Sequence, residues 1–275
     1  MALSPYATTP ERVWYYSHRV IVAAVLVFLI APILVIMPLS FNSEPYFSYP
    51  MPGLSLRWYE DFFTNDRWTL ALKTSVIVAV SVTFLATALG TLAALGLSRS
   101  NFPARGVFMS ILISPMVVPV IISAVGMYFF YTRVGLTNSL PGLILAHTAL
   151  ATPFVVITVT ATLFGFDQTL VRAGASLGAD PVRVFFRVTL PLILPGVISG
   201  SLFAFVTSFD EVVVVLFLAS PEQRTLPKQM FSGIREIISP TITAAATLLI
   251  LFAVAMLTTV ELLRRRSERL RGIRS

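Results

Sequence analysis

Apolar residues in this chain fall into six long uncharged runs, at 20–43, 74–98, 106–132, 134–166, 188–209 and 237–260. A bilayer core about 30 Å thick takes about 20 apolar residues in a helix, so each run is long enough for a span. The fourth run contains TNSLPG (137–142), which reads as a turn and starts its helix near Leu143. Asp210 and Glu211 interrupt the fifth, and VVVVLFLA (212–219) continues it. The pattern predicts an all-α membrane protein with six transmembrane helices, at about 20–41, 69–98, 106–131, 143–164, 190–219 and 240–263. They form one domain over 20–265, between an N-terminal segment (1–19) and a basic tail (266–275), with a loop at 165–189.

Composition agrees. The chain is 56% hydrophobic and 12% charged, where soluble domains carry roughly a quarter charged residues. It has no cysteine, which excludes disulfides and thiolate chemistry. The first apolar run exceeds the 7–15 residues of a secretory signal, so it is expected to be retained as a helix.

Six spans put both termini on one side. Arg12, Arg19, Arg99, Arg105, Arg172, Arg183, Arg187 and six arginines of RRRSERLRGIRS fall on that side, against seven basic residues on the other. The bias places both termini in the cytoplasm. The net charge of +7 is thus a matter of orientation and of anionic membrane lipid, not of nucleic acid. On the outer side, GLSLRWYEDFF (53–63) predicts a short helix capped by Ser55, with Trp58, Tyr59, Phe62 and Phe63 as an aromatic face at the membrane boundary. Prolines within spans bend helices, and the spacings Ala86–Gly90 and Gly196–Gly200 allow close helix contact.

The loop RAGASLGADPVRVFFRVTLPLILPG (172–196) is the polar exception. Asp167 is placed to cap a first short helix, and Gly178 suits the position that ends it. Asp180 caps a second, with Pro181 at its first position, where a missing N–H costs nothing. The second helix sets arginines opposite Phe185 and Phe186, and LPLILP (190–195) turns the chain back into the membrane. The predicted unit is a helix–turn–helix along the inner membrane surface. It either joins two spans or docks a cytoplasmic partner, and it is longer than a connection needs.

These residues resemble the permease subunits of bacterial ABC importers, whose loop reads E-A-A, three residues, G, nine residues, I-x-L-P. Arg172-Ala173-Gly174 stands at E-A-A, Gly178 at the glycine, ADPVRVFFR (179–187) in the spacer and Val188-Thr189-Leu190-Pro191 at the end. Two positions depart: arginine replaces the glutamate and Gly174 the second alanine. Within the superfamily, 53–63, SFDEVVVVLFLAS (208–220) and TLPKQM (225–230) are similar to the second permease of the spermidine/putrescine-type branch. The resemblance implies a type I importer fold with a cytoplasmic ATPase dimer, a second permease and an extracytoplasmic solute-binding protein as partners, in a bacterial inner membrane. It implies no cofactor in this chain, with ATP-Mg in the ATPase subunits. Coupling would fall to Arg172, Ala173, Gly174, Gly178, Ala179, Asp180, Pro181, Phe185, Leu190 and Pro191.

Asp210 and Glu211 are the carboxylates that interrupt a span. Charge at membrane depth is costly and faces a partner or an aqueous cavity. By helical spacing Gly200, Ala204, Thr207 and Glu211 share a small, polar face, with Asp210 beside it near Phe203 and Thr207. One reading is a cation-attracting pathway formed by Asp210, Glu211, Thr207 and Phe203; the other is a structural ion pair, with Lys73 a candidate. His147 is expected to hydrogen-bond a neighbouring helix. No P-loop pattern is present, so ATP hydrolysis would belong to another chain. An importer for a metal complex, oxyanion or amino acid, or a secondary transporter using the two acids as an ion site, are the competing functions.

Overall fold

The structure, a computed structural model, describes residues 6, 8–98, 103–236 and 239–270, with side chains from 103–234 and 239–259 in the latter two segments. Part of the stretch between the spans expected at 69–98 and 106–131, and the side chains of the basic tail, lie outside the described residues. Among the described residues, five helices are long and apolar enough to cross a membrane, six if one bent pair forms a single span. The chain divides into two compact units, residues 1–64 with 233–275, and residues 65–232.

In the first unit, α1 (Thr9–Leu39) starts earlier than the span expected at 20–41. Helix α2 (Arg57–Thr64) does not simply lay its aromatic face on the membrane boundary. Trp58 and Phe62 are buried, the Trp58 indole N–H donates to the Asn42 carbonyl at 2.6 Å, and the Tyr59 hydroxyl meets Ser40 Oγ at 2.6 Å. A buried indole needs such a partner, and the chain just after α1 supplies it. Ser55 acts one residue before the cap expected for it: Leu56 stands at that position, and Ser55 Oγ accepts from the Arg57 amide. The Asp61 carboxylate accepts from Thr241 Oγ1 at 2.7 Å, tying α2 to the start of α12 (Pro240–Leu270). Helix α12 runs on into the region expected as a tail.

The second unit is built on α3 (Asp66–Leu97), α6 (Leu140–Phe164) and α9 (Leu190–Phe209). The three helices pack against one another, α6 most closely against each of the other two, and small residues set the spacing. A Cβ on Gly90 of α3 would stand 2.6 Å from Val155 Cβ; one on Gly200 of α9 would stand 2.9 Å from Val155 Cα and 2.5 Å from Thr158 Oγ1. Val155 therefore has a glycine on either side. In lipid, where burial of apolar surface drives no helix association, this close approach is what holds spans together. Gly200 and Ala204 are buried in the seam, which makes them packing residues and not a pathway lining.

The run expected as one span over 106–131 is two helices, α4 (Arg105–Val117) and α5 (Val120–Val134), bent by 104°. Pro119 forces the residue before it out of the helical region: Val118 is extended, at φ −72° and ψ 131°. Pro115 lies inside α4 without ending it. Helix α5 packs through Ala124 and Tyr131 onto α10 (Val213–Leu218).

Gly200→Ala is expected to destabilise the purified protein by about 1–3 kcal/mol, because Val155 Cα is backbone and cannot yield. Gly126→Ala in α5, where nothing lies within 4 Å, is expected to be neutral or to gain up to about 1 kcal/mol in helix propensity. Thermal denaturation in detergent distinguishes the two.

Candidate functional site

Helix α7 (Thr169–Ser176) forms the first arm of the hairpin. Asp167 acts one residue before the position expected for it: Gln168 is the cap, and the Asp167 carboxylate accepts from the Thr169 amide at 2.9 Å. That hydrogen bond favours the ionised form and holds the carboxyl below its ordinary range. The arm ends at Gly178, with φ +80°. The amide of Gly178 donates to the Ala175 carbonyl and that of Ala179 to Gly174, the paired bonds of a left-handed helix stop.

Asp180 caps the second arm through the Arg183 amide at 2.9 Å, with Pro181 at the first helical position. Its 3.8 Å ion pair with the Arg183 guanidinium joins two exposed side chains and contributes little. Val184 is the buried pivot between the arms. A Cβ on Gly174 would lie 3.2 Å from Val184 Cγ2, so glycine at this position lets α7 close on α8 (Pro181–Val184).

The second arm does not turn back at 190–195. After α8 the helix widens into a π-helical stretch, Phe185–Thr189, and continues as α9, making one rod over Pro181–Phe209. The Leu190 amide donates to the Phe185 carbonyl. Pro191 lacks an N–H, and its ring crowds the carbonyl four residues back. A widened turn immediately before it accommodates both effects, so the expected hinge at Leu190-Pro191 is a continuous helix.

Exposure separates the expected coupling residues. Arg172, Ala173, Asp180 and Pro181 are exposed, while Gly174, Ala179, Phe185 and Leu190 are half-buried. The apolar side chains that project furthest are Leu177, 88% exposed, Val182 and Phe186, with Leu170 of α7 less so. Leu177 had one signal in the sequence: a large apolar residue directly before the glycine stop, where a turn usually places a polar one.

At its far end the rod stops. Phe209 is the last residue of α9, Asp210 follows as its cap, and α10 begins at Val213. Glu211 therefore lies beyond the helix and does not share a face with Gly200, Ala204 and Thr207. Its Oε1 accepts from the Val214 amide at 2.9 Å, capping α10. At the other end of α10, Lys228 Nζ donates to the carbonyls of Ala219 at 2.7 Å and Val215 at 3.3 Å. The Asn138 amide donates to the Leu218 carbonyl. Burial, with Arg224 nearby, holds the Lys228 ammonium below its usual pKa. A carboxylate at the start and an ammonium at the end both complement the helix dipole.

Asp210 is exposed, and its carboxylate has no hydrogen bond or ion pair among the described residues; Lys73 does not pair with it. Thr207 is half-buried. Phe203 is 49% exposed and stacks on Phe154 of α6, with centroids 6.1 Å apart. His147 of α6 meets Ser208 of α9 at 3.0 Å, the neighbouring-helix bond expected for it.

Residues 86–271 match the family of binding-protein-dependent transport system inner membrane components. The chain is 32% identical over 254 residues to the spermidine/putrescine transport system permease protein PotC of Haemophilus influenzae, covering 92% of this chain and 98% of that one. It is 34% identical over 230 residues to the putrescine transport system permease protein PotI of Escherichia coli, covering 81% and 82%. In fold it is similar to a bacterial ABC transporter involved in the import of the acidic polysaccharide alginate, with a TM-score of 0.75 and 13% identity over 95% of this chain and 99% of that chain.

Gly178→Ala places a Cβ in a left-handed conformation, a strain of roughly 1–2 kcal/mol. Faster amide hydrogen exchange confined to residues 169–179 is the expected result, with the amides of α6 unchanged.

Proposed function

The chain belongs to the family of binding-protein-dependent transport system inner membrane components, and from that premise we propose that it imports polyamines as one permease of an ATP-driven complex. It is a multi-pass membrane protein and a transport subunit; its sequence contains no P-loop. Both termini lie in the cytoplasm, the side that the bias of its basic residues favours. There the hairpin of α7 and α8 docks an ATPase dimer that binds ATP-Mg. A second, homologous permease completes the pathway, and an extracytoplasmic binding protein delivers the solute.

The rod over Pro181–Phe209 carries the mechanism. One helix leaves the docking hairpin, forms the fifth span and ends at the acid-bearing break. Closure of the ATPases moves the hairpin, and the rod carries that displacement to Asp210 without a flexible joint. Arg172, Leu177, Val182 and Phe186 present the docking face. Gly178, Ala179, Asp180 and Pro181 shape the turn, and Gly174 and Phe185 pack it. Leu190 and Pro191 keep the arm continuous with the span.

The observation that supports a cationic solute is the Asp210 carboxylate, exposed at a break in a span and without a partner among the described residues. In a region of low dielectric such a group replaces water around an ammonium. Phe203 adds the attraction of an aromatic face for a cation, and Thr207 a hydroxyl. The two relatives named for putrescine or spermidine favour a diamine or triamine over another cation. An oxyanion would meet two acids with nothing to compensate its charge.

Uptake by the complete complex in vesicles tests this reading. Asp210→Asn is expected to raise the half-saturating putrescine concentration by about tenfold, by removing charge alone. Glu211→Gln keeps the acceptor for the Val214 amide and is expected to shift it less. If neither putrescine nor spermidine is taken up while another solute is, the polyamine assignment fails.

A further inference from the structure

We propose that His147 is a positioning residue for substrate binding: its bond to Ser208 fixes the last turn of α9 and hence the direction in which Asp210 leaves the helix. This rests on the reading of Asp210 as part of the pathway.

The seam between α6 and α9 has a regular antiparallel register. Gly196 lies against Thr162, Gly200 against Thr158 and Val155, Phe203 on Phe154, and Ser208 on His147. Along most of it the polar side chains of α6 bond their own helix. Thr148, Thr152, Thr158 and Thr162 each donate to the carbonyl four residues back. Contact there is steric and sets distance, not rotation. At the end of the seam the chemistry changes: the His147 ring reaches across to Ser208, with both residues buried, at 1% and 5% exposure. A hydrogen bond is directional, and in a dry site there is no water to replace it, so this contact fixes how the helix end is turned.

The location gives the bond its consequence. Ser208 lies two residues before Asp210, in the turn where α9 stops. Beyond the break, α10 is held independently by Glu211, Lys228 and Asn138. Residues 210–212 thus run between two fixed points, and His147 is the side chain that fixes the near one. The ring is an uneconomical choice for stability alone. Its Nε2 is buried without a partner among the described residues, at a cost of about 1–3 kcal/mol that an apolar side chain would avoid. Such local inconsistencies concentrate at functional positions.

The natural chain has no cysteine, so Asp210→Cys accepts a single spin label in the assembled complex in vesicles. Label motion is expected to be restricted with His147 present, to increase in both His147→Ala and Ser208→Ala, and to be restored in His147→Asn, whose amide places a polar atom where Nδ1 stands. With Asp210 intact, His147→Ala and Ser208→Ala are expected to raise the half-saturating putrescine concentration by about tenfold, with a smaller fall in maximal rate, and His147→Asn to recover most of it. Ser208→Ala removes the bond without deleting a ring, so loss of folding in His147→Ala does not decide the outcome. Unchanged label motion in both alanine variants overturns the proposal, as does a His147→Asn variant that behaves like His147→Ala. If label motion follows the expected pattern but putrescine stimulates no variant, the wild type included, the positioning role stands and the polyamine reading fails.

Discussion

A backbone amide or carbonyl released from a helix inside a bilayer has no water to turn to, and this constraint governs every irregular feature of the spans. The chain breaks regular helix at Val118 and over residues 210–212. At the second break the Glu211 carboxylate takes the Val214 amide, and at the far end of α10 Lys228 takes two carbonyls and the Asn138 amide takes the Leu218 carbonyl. The charged residues around α10 thereby divide their work. Glu211 and Lys228 are engaged with backbone groups, whereas the Asp210 carboxylate is exposed and has no polar partner among the described residues.

The same constraint explains why the hairpin and the fifth span form one piece. Turning the chain at Leu190-Pro191 would release carbonyls at the membrane surface. A π-helical turn before Pro191 keeps them bonded while absorbing the missing donor. Continuity follows: one helix joins the hairpin to the break, the route that the proposed coupling uses. Glycines at 90 and 200 seat α6 closely on its neighbours, which gives the rod a firm surface to move with or against.

Features fixed by short-range chemistry were legible in the sequence. Ser55 and Asp167 act one residue before the caps expected of them, and the Asp180-Pro181 start and the Gly178 stop depend on a few neighbouring residues and occur where expected. So did the small-residue spacings and the reach of His147 to another helix. Features decided by partners far along the chain were not. Trp58 and Phe62 read as an aromatic face for the interface, but the acceptor for the Trp58 indole is the Asn42 carbonyl, 16 residues away. Periodicity carried the fifth span straight through Glu211, because nothing local announces that Lys228 and Asn138 will support a separate α10. Every proline within a span read alike as a helix bender, yet Pro115 lies within a helix and Pro119 follows the end of one. The family's loop was recognisable through its glycine and Leu-Pro, and its Leu-Pro proved to be helix.

Rigid transmission from hairpin to break is most directly tested by one distance. Spin labels on Val182→Cys and Val206→Cys lie 24 residues apart along the rod, about 36 Å at the rise of a helix. Measured in the assembled complex by pulsed electron resonance, that distance should keep the same mean and width with and without a non-hydrolysable ATP analogue. A second population, or a shift of several Å when nucleotide binds, would show that the helix flexes at its π-helical turn, contradicting the rigid coupling on which the mechanism depends.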